Sequence, residues 1–272
     1  MKRLLHRVVQ TIQSVLLWDN PFELFLDYHL LRRKDPIRIL KHGASLVVNY
    51  RSSDMQAAKD VLLDGMYDNS LKSAFENIKA PRALKYLNLG ANIGTFDIQA
   101  GLFASNYNLP AIGHAVEMNT ATFARLVINL EINALLSICP INIALTGNDG
   151  ELTCDFAMRD TGQSSSFPNS SSISPTEHLI CSTSWTSLWK QIKPPFDIVK
   201  VDIEGAEVFF LTELTKEQAD MISFIVIETH SSALHSLCDT RLSELGFLLV
   251  EKGKDNPGTR LSLWQSRYRA QL

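Results

Sequence analysis

The strongest constraint in this sequence is a rhythm that begins near Tyr86. From there, short and almost uninterrupted apolar runs alternate with longer amphipathic ones. The runs Ile198-Val199-Lys200-Val201 and Phe224-Ile225-Val226-Ile227 carry a single polar residue between them. A strand apolar on both faces must be covered on both faces, as in a parallel sheet between two helical layers. The rhythm predicts strands over 85–89, 111–117, 141–145, 197–202, 224–228, 247–251 and 261–265. It predicts helices over 94–104, 120–132, 206–214 and 232–245. Such alternation defines a doubly wound α/β fold with right-handed crossovers. The last two strands are separated only by residues 252–258, so an antiparallel pair at the sheet edge is expected.

Residues 1–78 read as a mostly helical extension or cap, and 79–272 as the ligand-binding domain. Asp19-Asn20-Pro21 ends one helix and starts another, because Asn caps and Pro suits the first helical turn. Residues 44–50 (ASLVVNY) are β-rich, and Ser53-Asp54 opens a helix over 55–63. Leu4, Leu5, Val8, Val9, Ile12, Val15 and Leu16 recur at helical spacing, interrupted by His6, Arg7, Gln10, Thr11 and Gln13. That pattern is neither a signal peptide nor a membrane span. Two readings of residues 1–17 stand: a helix docked on its own domain, or a peripheral membrane contact carried by Lys2, Arg3 and Arg7. Residues 162–174 (GQSSSFPNSSSIS) are of low complexity and read as a surface loop or a mobile cover over a site.

Charge narrows the function classes. The 272 residues hold 26 Lys and Arg against 29 Asp and Glu, a net charge of −3. That is not the basic surplus of a nucleic-acid binder. Cys139, Cys154, Cys181 and Cys238 form no C-x-x-C pair. Reduced thiols in a cytoplasmic protein are therefore expected, rather than disulfides or a zinc site.

The stretch Tyr86-Leu-Asn-Leu-Gly-Ala-Asn-Ile-Gly-Thr95-Phe96 carries the chemistry. A strand runs into Gly90, the chain turns, and Gly94 opens a helix. Open α/β sheets bind ligands at the carboxyl ends of their strands, and glycine admits positive φ at such turns. Glu117 ends the next strand, where a carboxylate can accept from both hydroxyls of a ribose. The dinucleotide pattern requires a second glycine two positions after the first, and Asn92 stands there. An asparagine crowds a pyrophosphate but can bond a zwitterionic tail. An adenosine ligand without a diphosphate fits, and S-adenosylmethionine is the obvious one.

A second cluster follows the strand Phe196-Asp-Ile-Val-Lys-Val-Asp202. It continues Ile-Glu204-Gly-Ala-Glu207, and the neighbouring strand ends Glu228-Thr-His230. Asp202, Glu204, Glu228 and His230 would converge at the mouth of the sheet, as a general base and substrate contacts or as a divalent-metal site. The base reading is preferred, with His230 and Asp202 unranked and no metal assigned. Glu207, in the first turn of the next helix, reads as a helix-dipole partner.

At these residues the chain resembles the FkbM-type family of S-adenosylmethionine-dependent methyltransferases. The likeness lies in LNLGANIGTF at 87–96, VEMNTATFARLVINLEIN at 116–133, FDIVKVDIEGAEVFFL at 196–211, IVIETH at 225–230 and SSDMQAAKDVLLDGMY at 52–67. The resemblance implies a Rossmann-like class I fold: seven strands, mostly parallel, the last antiparallel. It implies S-adenosylmethionine as cofactor and O-methylation of a hydroxyl on a sugar, glycan or secondary metabolite. It also implies that Asn88, Gly90, Ala91, Asn92 and Gly94 wrap the methionine end, Glu117 the ribose, and Met118 and Ala144 the adenine. Asp202 and Glu204 would face the methyl group with Glu228 and His230 beside them. Asp54 and Tyr67 would close the pocket. The chain departs from the family at Asn88, where an Asp is usual, at Met118, where Pro is usual, and at Ser184-Trp185-Thr186, where Thr-Leu-Asp is usual.

Two other functions stand beside this one: a nucleotide-dependent oxidoreductase, and a non-catalytic partner-binding module on the same fold. Trp185, Trp189 and Phe167 read either as stacking platforms for a sugar or as core anchors.

Overall fold

The computed structural model describes residues 15–27, 37–50, 52–78, 82–155, 177–253 and 258–268. Most of the N-terminal segment 1–17 and all of the Ser-rich segment 162–174 lie outside the described residues.

A seven-stranded sheet organises the chain. Its strands are β3 (Leu84–Leu89), β4 (Ala111–Val116), β5 (Ile138–Ile141), β9 (Phe196–Val201), β10 (Ile222–Thr229), β11 (Phe247–Lys252) and β12 (Arg260–Ser266). Their spatial order is β11-β12-β10-β9-β3-β4-β5. β3, β4, β5, β9 and β10 are mutually parallel. β12 inserts antiparallel between β10 and β11. The last strand is thus not on the edge; β11 is. The order reverses between β3 and β9, and that switch point creates a crevice at the carboxyl ends of the strands.

Both faces of the sheet are buried, as the apolar runs require. Alternate residues split between two cores: Tyr86, Ile198, Phe224 and Val226 on one side, Leu89, Val199, Ile225 and Ile227 on the other. The first face is covered by α2 (Asp54–Leu62), α3 (Asp68–Glu76), α4 (Thr95–Tyr107) and α5 (Thr120–Ile132). The second is covered by α6 (Trp185–Gln191), α7 (Glu207–Glu213) and α9 (Ser232–Glu244), with the single turn α8 (Lys216–Ala219) between them. Trp185 is fully buried, edge-on to Phe210 at 4.9 Å, and its indole N–H donates to Gln218. It is a core anchor, which leaves it no face for a sugar.

The N-terminal region holds one extended element more than the sequence predicts. After the short α1 (Pro21–Phe25), β1 (Ile37–Lys41) and β2 (Ala44–Val48) form an antiparallel hairpin. Its docking is made by two asparagines one turn apart, Asn129 on α5 and Asn133 at its C-terminal cap. Asn129 accepts from the Val47 N–H at 2.6 Å and donates to the carbonyls of Val47 and Ile93. Asn133 repeats the exchange with Ser45. An amide side chain has the donor and acceptor of a peptide group, so the two stand in for a neighbouring strand.

The strand expected over 141–145 is broken in two. Asn142 turns its side chain to the carbonyls of Glu117 and Met118, at 2.7 and 3.1 Å. The chain then leaves the main sheet at β6 (Ala144–Leu145). With β7 (Gly150–Asp155) and β8 (Glu177–Thr183) it forms a separate three-stranded sheet of order β6-β8-β7.

Candidate active site

The turn after β3 is built from backbone constraints. Gly90 has φ +79°, and a Cβ there would sit 1.7 Å from the Asp202 carbonyl oxygen. The missing side chain lets the tips of β3 and β9 touch; it is the protein's own backbone that approaches closely. Asn92 (φ +51°) and Gly94 (φ +87°) are also left-handed. Four N–H groups of the turn are used internally: Gly90 and Ala91 donate to the Val116 carbonyl, Asn92 to Glu117 and Gly94 to Ala91. Three of these bonds tie the turn to the tip of β4.

Glu117 is buried at the tip of β4. Its two carboxylate oxygens accept from the N–H groups of Asn92 and Asn119, at 2.9 and 2.8 Å. Burial pushes its pKa up to about 7. Each oxygen keeps a lone pair for a further donor. Met118 and Ala144 lie together in a small cluster with Cys154 and Ile180.

Beside the turn opens a cavity of about 300 Å³. One wall is the start of α2 with Ser53, Gln56 and Asp60, followed by Tyr67. The opposite wall is the turn itself, with Gly90, Ala91, Asn92, Thr95 and Phe96. Lys200, Asp202, Glu204, Glu228 and His230 form the floor. The four predicted reactive groups are therefore brought together, and Tyr67 closes over them. Tyr67 packs edge-on to Phe96 at 5.2 Å, with the Asp202 carboxylate beside its hydroxyl. Burial and the charges of Asp202 and Glu228 hold its pKa well above the ordinary phenol value.

Asp54 lies elsewhere. Its buried carboxylate pairs with Arg125 of α5 at 2.8 Å and accepts from the Asn49 N–H. It pins α2 in place, while its neighbours Ser53 and Gln56 reach the cavity. Asn88 is also behind the wall, fully buried and donating to Asp97 at 2.8 Å.

Two residues, Lys200 in the floor and Glu207 behind it, were given no role at the site by their sequence. Lys200 is buried; its ammonium donates to the Gly90 carbonyl at 2.6 Å, pairs with Asp202 at 3.2 Å and lies 5.9 Å from the Tyr67 ring. The signal was a lysine inside an apolar strand, since a buried charge is found only where it is paired. Glu207 is fully buried, so it is no surface dipole partner. It accepts from the N–H groups of Ile203 and Gly205 and meets His230 Nδ1 at 3.0 Å. Its position in a helix's first turn concealed this, because acids there have a common alternative explanation.

These contacts set the protonation of the floor. Burial alone would lower the His230 pKa, but the Glu207 bond and the charges of Glu207, Asp202 and Glu204 outweigh it and raise it to about 9. His230 is an imidazolium at neutral pH, and its Nε2 lies 3.7 Å from Asp202 and 3.5 Å from Glu204. Burial and neighbouring carboxylates push Glu204 up to about 7, and Glu228 rises for the same reasons. Asp202, Glu204 and His230 offer ligand atoms within 4.8 Å of one another. A cation held there would have to displace the His230 proton that these carboxylates favour.

A doubly wound sheet of this strand order, with a glycine turn, a buried carboxylate at the tip of the next strand and an acid-rich cavity at the switch point, has the architecture of a class I methyltransferase. The match to known proteins places it further. The model of the methyltransferase FkbM domain matches residues 88–249, and the chain belongs to the FkbM methyltransferase family. Its cofactor is S-adenosylmethionine. Among solved structures, the methyltransferase FkbM from Methylobacillus flagellatus KT is similar at 14% identity, covering 81% of this chain and 56% of that one, with a TM-score of 0.48. The precorrin-6y C5,15-methyltransferase from Geobacter metallireducens GS-15 is similar at 11% identity, covering 73% and 88%, with a TM-score of 0.43. TrmK from M. capricolum, in complex with S-adenosyl-homocysteine, is similar at 12% identity, covering 73% and 68%, with a TM-score of 0.41. No curated protein matches the chain.

The residues fit that cofactor. Asn92 Oδ1 is a buried acceptor in the cavity wall without a hydrogen-bond partner. The cavity sets the acids Asp60, Asp202, Glu204 and Glu228 against the cations Lys200 and His230, a surplus that favours a cationic ligand. Among the described residues, no helix is long and apolar enough to cross a membrane.

Proposed function

We propose that this methyltransferase acts on a hydroxyl group of an uncharged acceptor, a sugar, glycan or secondary metabolite, with Glu228 as the general base. The observation that carries the reading is the protonation pattern of the cavity floor. Glu228 has a raised pKa and faces the cavity. A carboxylate poised near neutrality accepts an alcohol proton far better than one with an ordinary pKa. His230, already protonated, cannot take that proton. Its role is to hold Asp202 and Glu204 while Glu207 holds it.

When bound, S-adenosylmethionine supplies a methyl group activated on a positively charged sulfur. Gly90, Ala91, Asn92 and Gly94 bind its amino-acid end, Glu117 its ribose, and Met118 and Ala144 its base. Tyr67 excludes water from above, and Asp54 acts indirectly by anchoring α2. Ser53, Gln56 and Asp60 lie on the acceptor side. The acid surplus there repels phosphorylated or carboxylated acceptors, and nucleic acid with them. Residues 1–78 serve as a cap, because α2 supplies one wall of the cavity.

The test is transfer of labelled methyl from S-adenosylmethionine to pooled neutral glycosides and their phosphorylated counterparts, with the product's linkage read by mass spectrometry. Methyl ethers on neutral acceptors support the proposal. Methyl groups found on nitrogen or carbon would sink it.

A further inference from the structure

The cavity wall opposite the glycine turn carries a polar pair that takes no part in the protonation of the floor. Gln56 and Asp60 stand one turn apart on α2 and line the cavity. Gln56 is exposed and Asp60 half-buried, so both are open to a ligand. Gln56 Nε2 donates to Asp60 Oδ1 at 2.6 Å. The bond restrains both side chains and leaves two acceptors at the cavity, Asp60 Oδ2 and Gln56 Oε1. Among the described residues, neither accepts a further hydrogen bond. Ala57 and Val61 lie on the same stripe of α2, and Met66 follows them along the wall. A few placed acceptors on an apolar wall fix the orientation of a ligand that is itself part polar and part apolar. A ring bearing hydroxyls has both kinds of surface.

We propose that Asp60, held by Gln56, is a specificity-determining residue: it accepts from the hydroxyl next to the one that is methylated, so that the acceptor presents a vicinal diol. The proposal rests on the reading that a hydroxyl is the acceptor. Glu228 on the floor takes the reacting hydroxyl, and the Asp60 carboxylate holds its neighbour, much as a carboxylate holds the hydroxyls of a ribose. Burial, then the charges of Asp202, Glu228 and Asp60, keep the proton on the Tyr67 phenol. One ring thus lies within electrostatic reach of the base and of Asp60. A cavity of about 300 Å³ is at the small end for ligand sites, so it takes one ring of the acceptor with that ring's adjacent hydroxyls. A lone alcohol would leave the Asp60 oxygen desolvated without a donor, which is costly.

The experiment follows labelled methyl transfer to pooled neutral glycosides before and after periodate oxidation and borohydride reduction. That treatment opens every vicinal diol and leaves separated hydroxyls. Transfer to the treated pool is expected to fall about tenfold or more, the range of one hydrogen bond to a charged group. The best untreated acceptor is then compared with its counterpart lacking the neighbouring hydroxyl. The unmodified protein is expected to prefer the diol about tenfold in kcat/KM, chiefly through KM. D60A is expected to bring that preference within about threefold of unity, and D60E to restore part of it. Affinity for S-adenosylhomocysteine is expected to stay within about threefold in D60A, and unfolding temperatures show whether the variants are folded. A treated pool as active as the untreated one, or a preference that survives D60A, would overturn the proposal. So would a D60A loss as large for S-adenosylhomocysteine as for the diol, which would set Asp60 at the cofactor instead. Methyl groups on nitrogen or carbon, or no transfer to either pool, would sink the hydroxyl reading itself, and diol recognition with it.

Discussion

Glu228 and His230 divide labour in a way that residue types alone do not reveal. Histidine is the usual general base because its ordinary pKa lies near neutrality. Here Glu207 bonds one ring nitrogen and two carboxylates face the other, so the imidazole is loaded with its proton. E228Q is therefore expected to lower kcat by about 10²–10⁴-fold while cofactor affinity stays within about threefold. An unchanged kcat would remove Glu228 from the mechanism. E117Q tests the other end of the site. Losing a charged acceptor for the ribose hydroxyls is expected to weaken S-adenosylhomocysteine by about 10–100-fold. Glutamine accepts from only one of the Asn92 and Asn119 N–H groups and turns a donor toward the other, so a lower unfolding temperature is expected as well, and affinity is compared well below it. Protein dialysed against a chelator is expected to keep its turnover, because a metal at Asp202, Glu204 and His230 would have to displace a proton that Glu207 and these carboxylates hold on the imidazole; lost turnover restored by a divalent cation would make the cluster a metal site.

At the scale of elements, the site depends on two junctions. The first is the contact of the β3 and β9 tips. Gly90→Ala would drive a methyl group into the Asp202 carbonyl from a left-handed backbone, and a loss of more than about 4 kcal/mol is expected in denaturant titration. A variant with near-native stability would mean that the tips are further apart than described. The second is the docking of β2 on α5. Asn129 makes three hydrogen bonds, to both backbone groups of Val47 and to Ile93. Asn129→Ala leaves those groups buried and unpaired, at an expected cost of about 2–3 kcal/mol. The strands and helices of the main sheet were legible because burial on both faces writes itself into composition. β7 and β8 were not, since a small sheet covered on one side leaves only short, mixed segments such as GELTCD and EHLICST. β1 was missed because IRILK matches a helical pattern as well as an extended one.

The whole molecule should reveal its buried charge through pH. His230 (about 9), Glu117 and Glu204 (about 7) and Asp97 (about 6) all have pKa values raised above their ordinary ones. Raised values mean that the fold binds more protons than the unfolded chain, so its stability falls as pH rises. The carboxylate part is lost from about pH 4 to 7, and the histidine part from about 6.5 to 9. Scanning fluorimetry is expected to show the unfolding temperature of the free protein dropping between about pH 5 and 9. A flat or rising profile would mean that these groups are more solvated than their positions indicate. What the sequence determined by itself was the doubly wound sheet, the glycine turn and the set of carboxylates at the strand ends, since periodicity and glycine placement are local properties of the chain. What only tertiary structure decided was which partner each buried acid meets. Glu207 against His230, Asp97 against Asn88 and Asp54 against Arg125 bring together residues 23, 9 and 71 positions apart. Protonation states follow from those meetings, because a pKa is set by neighbours in space and by the loss of water.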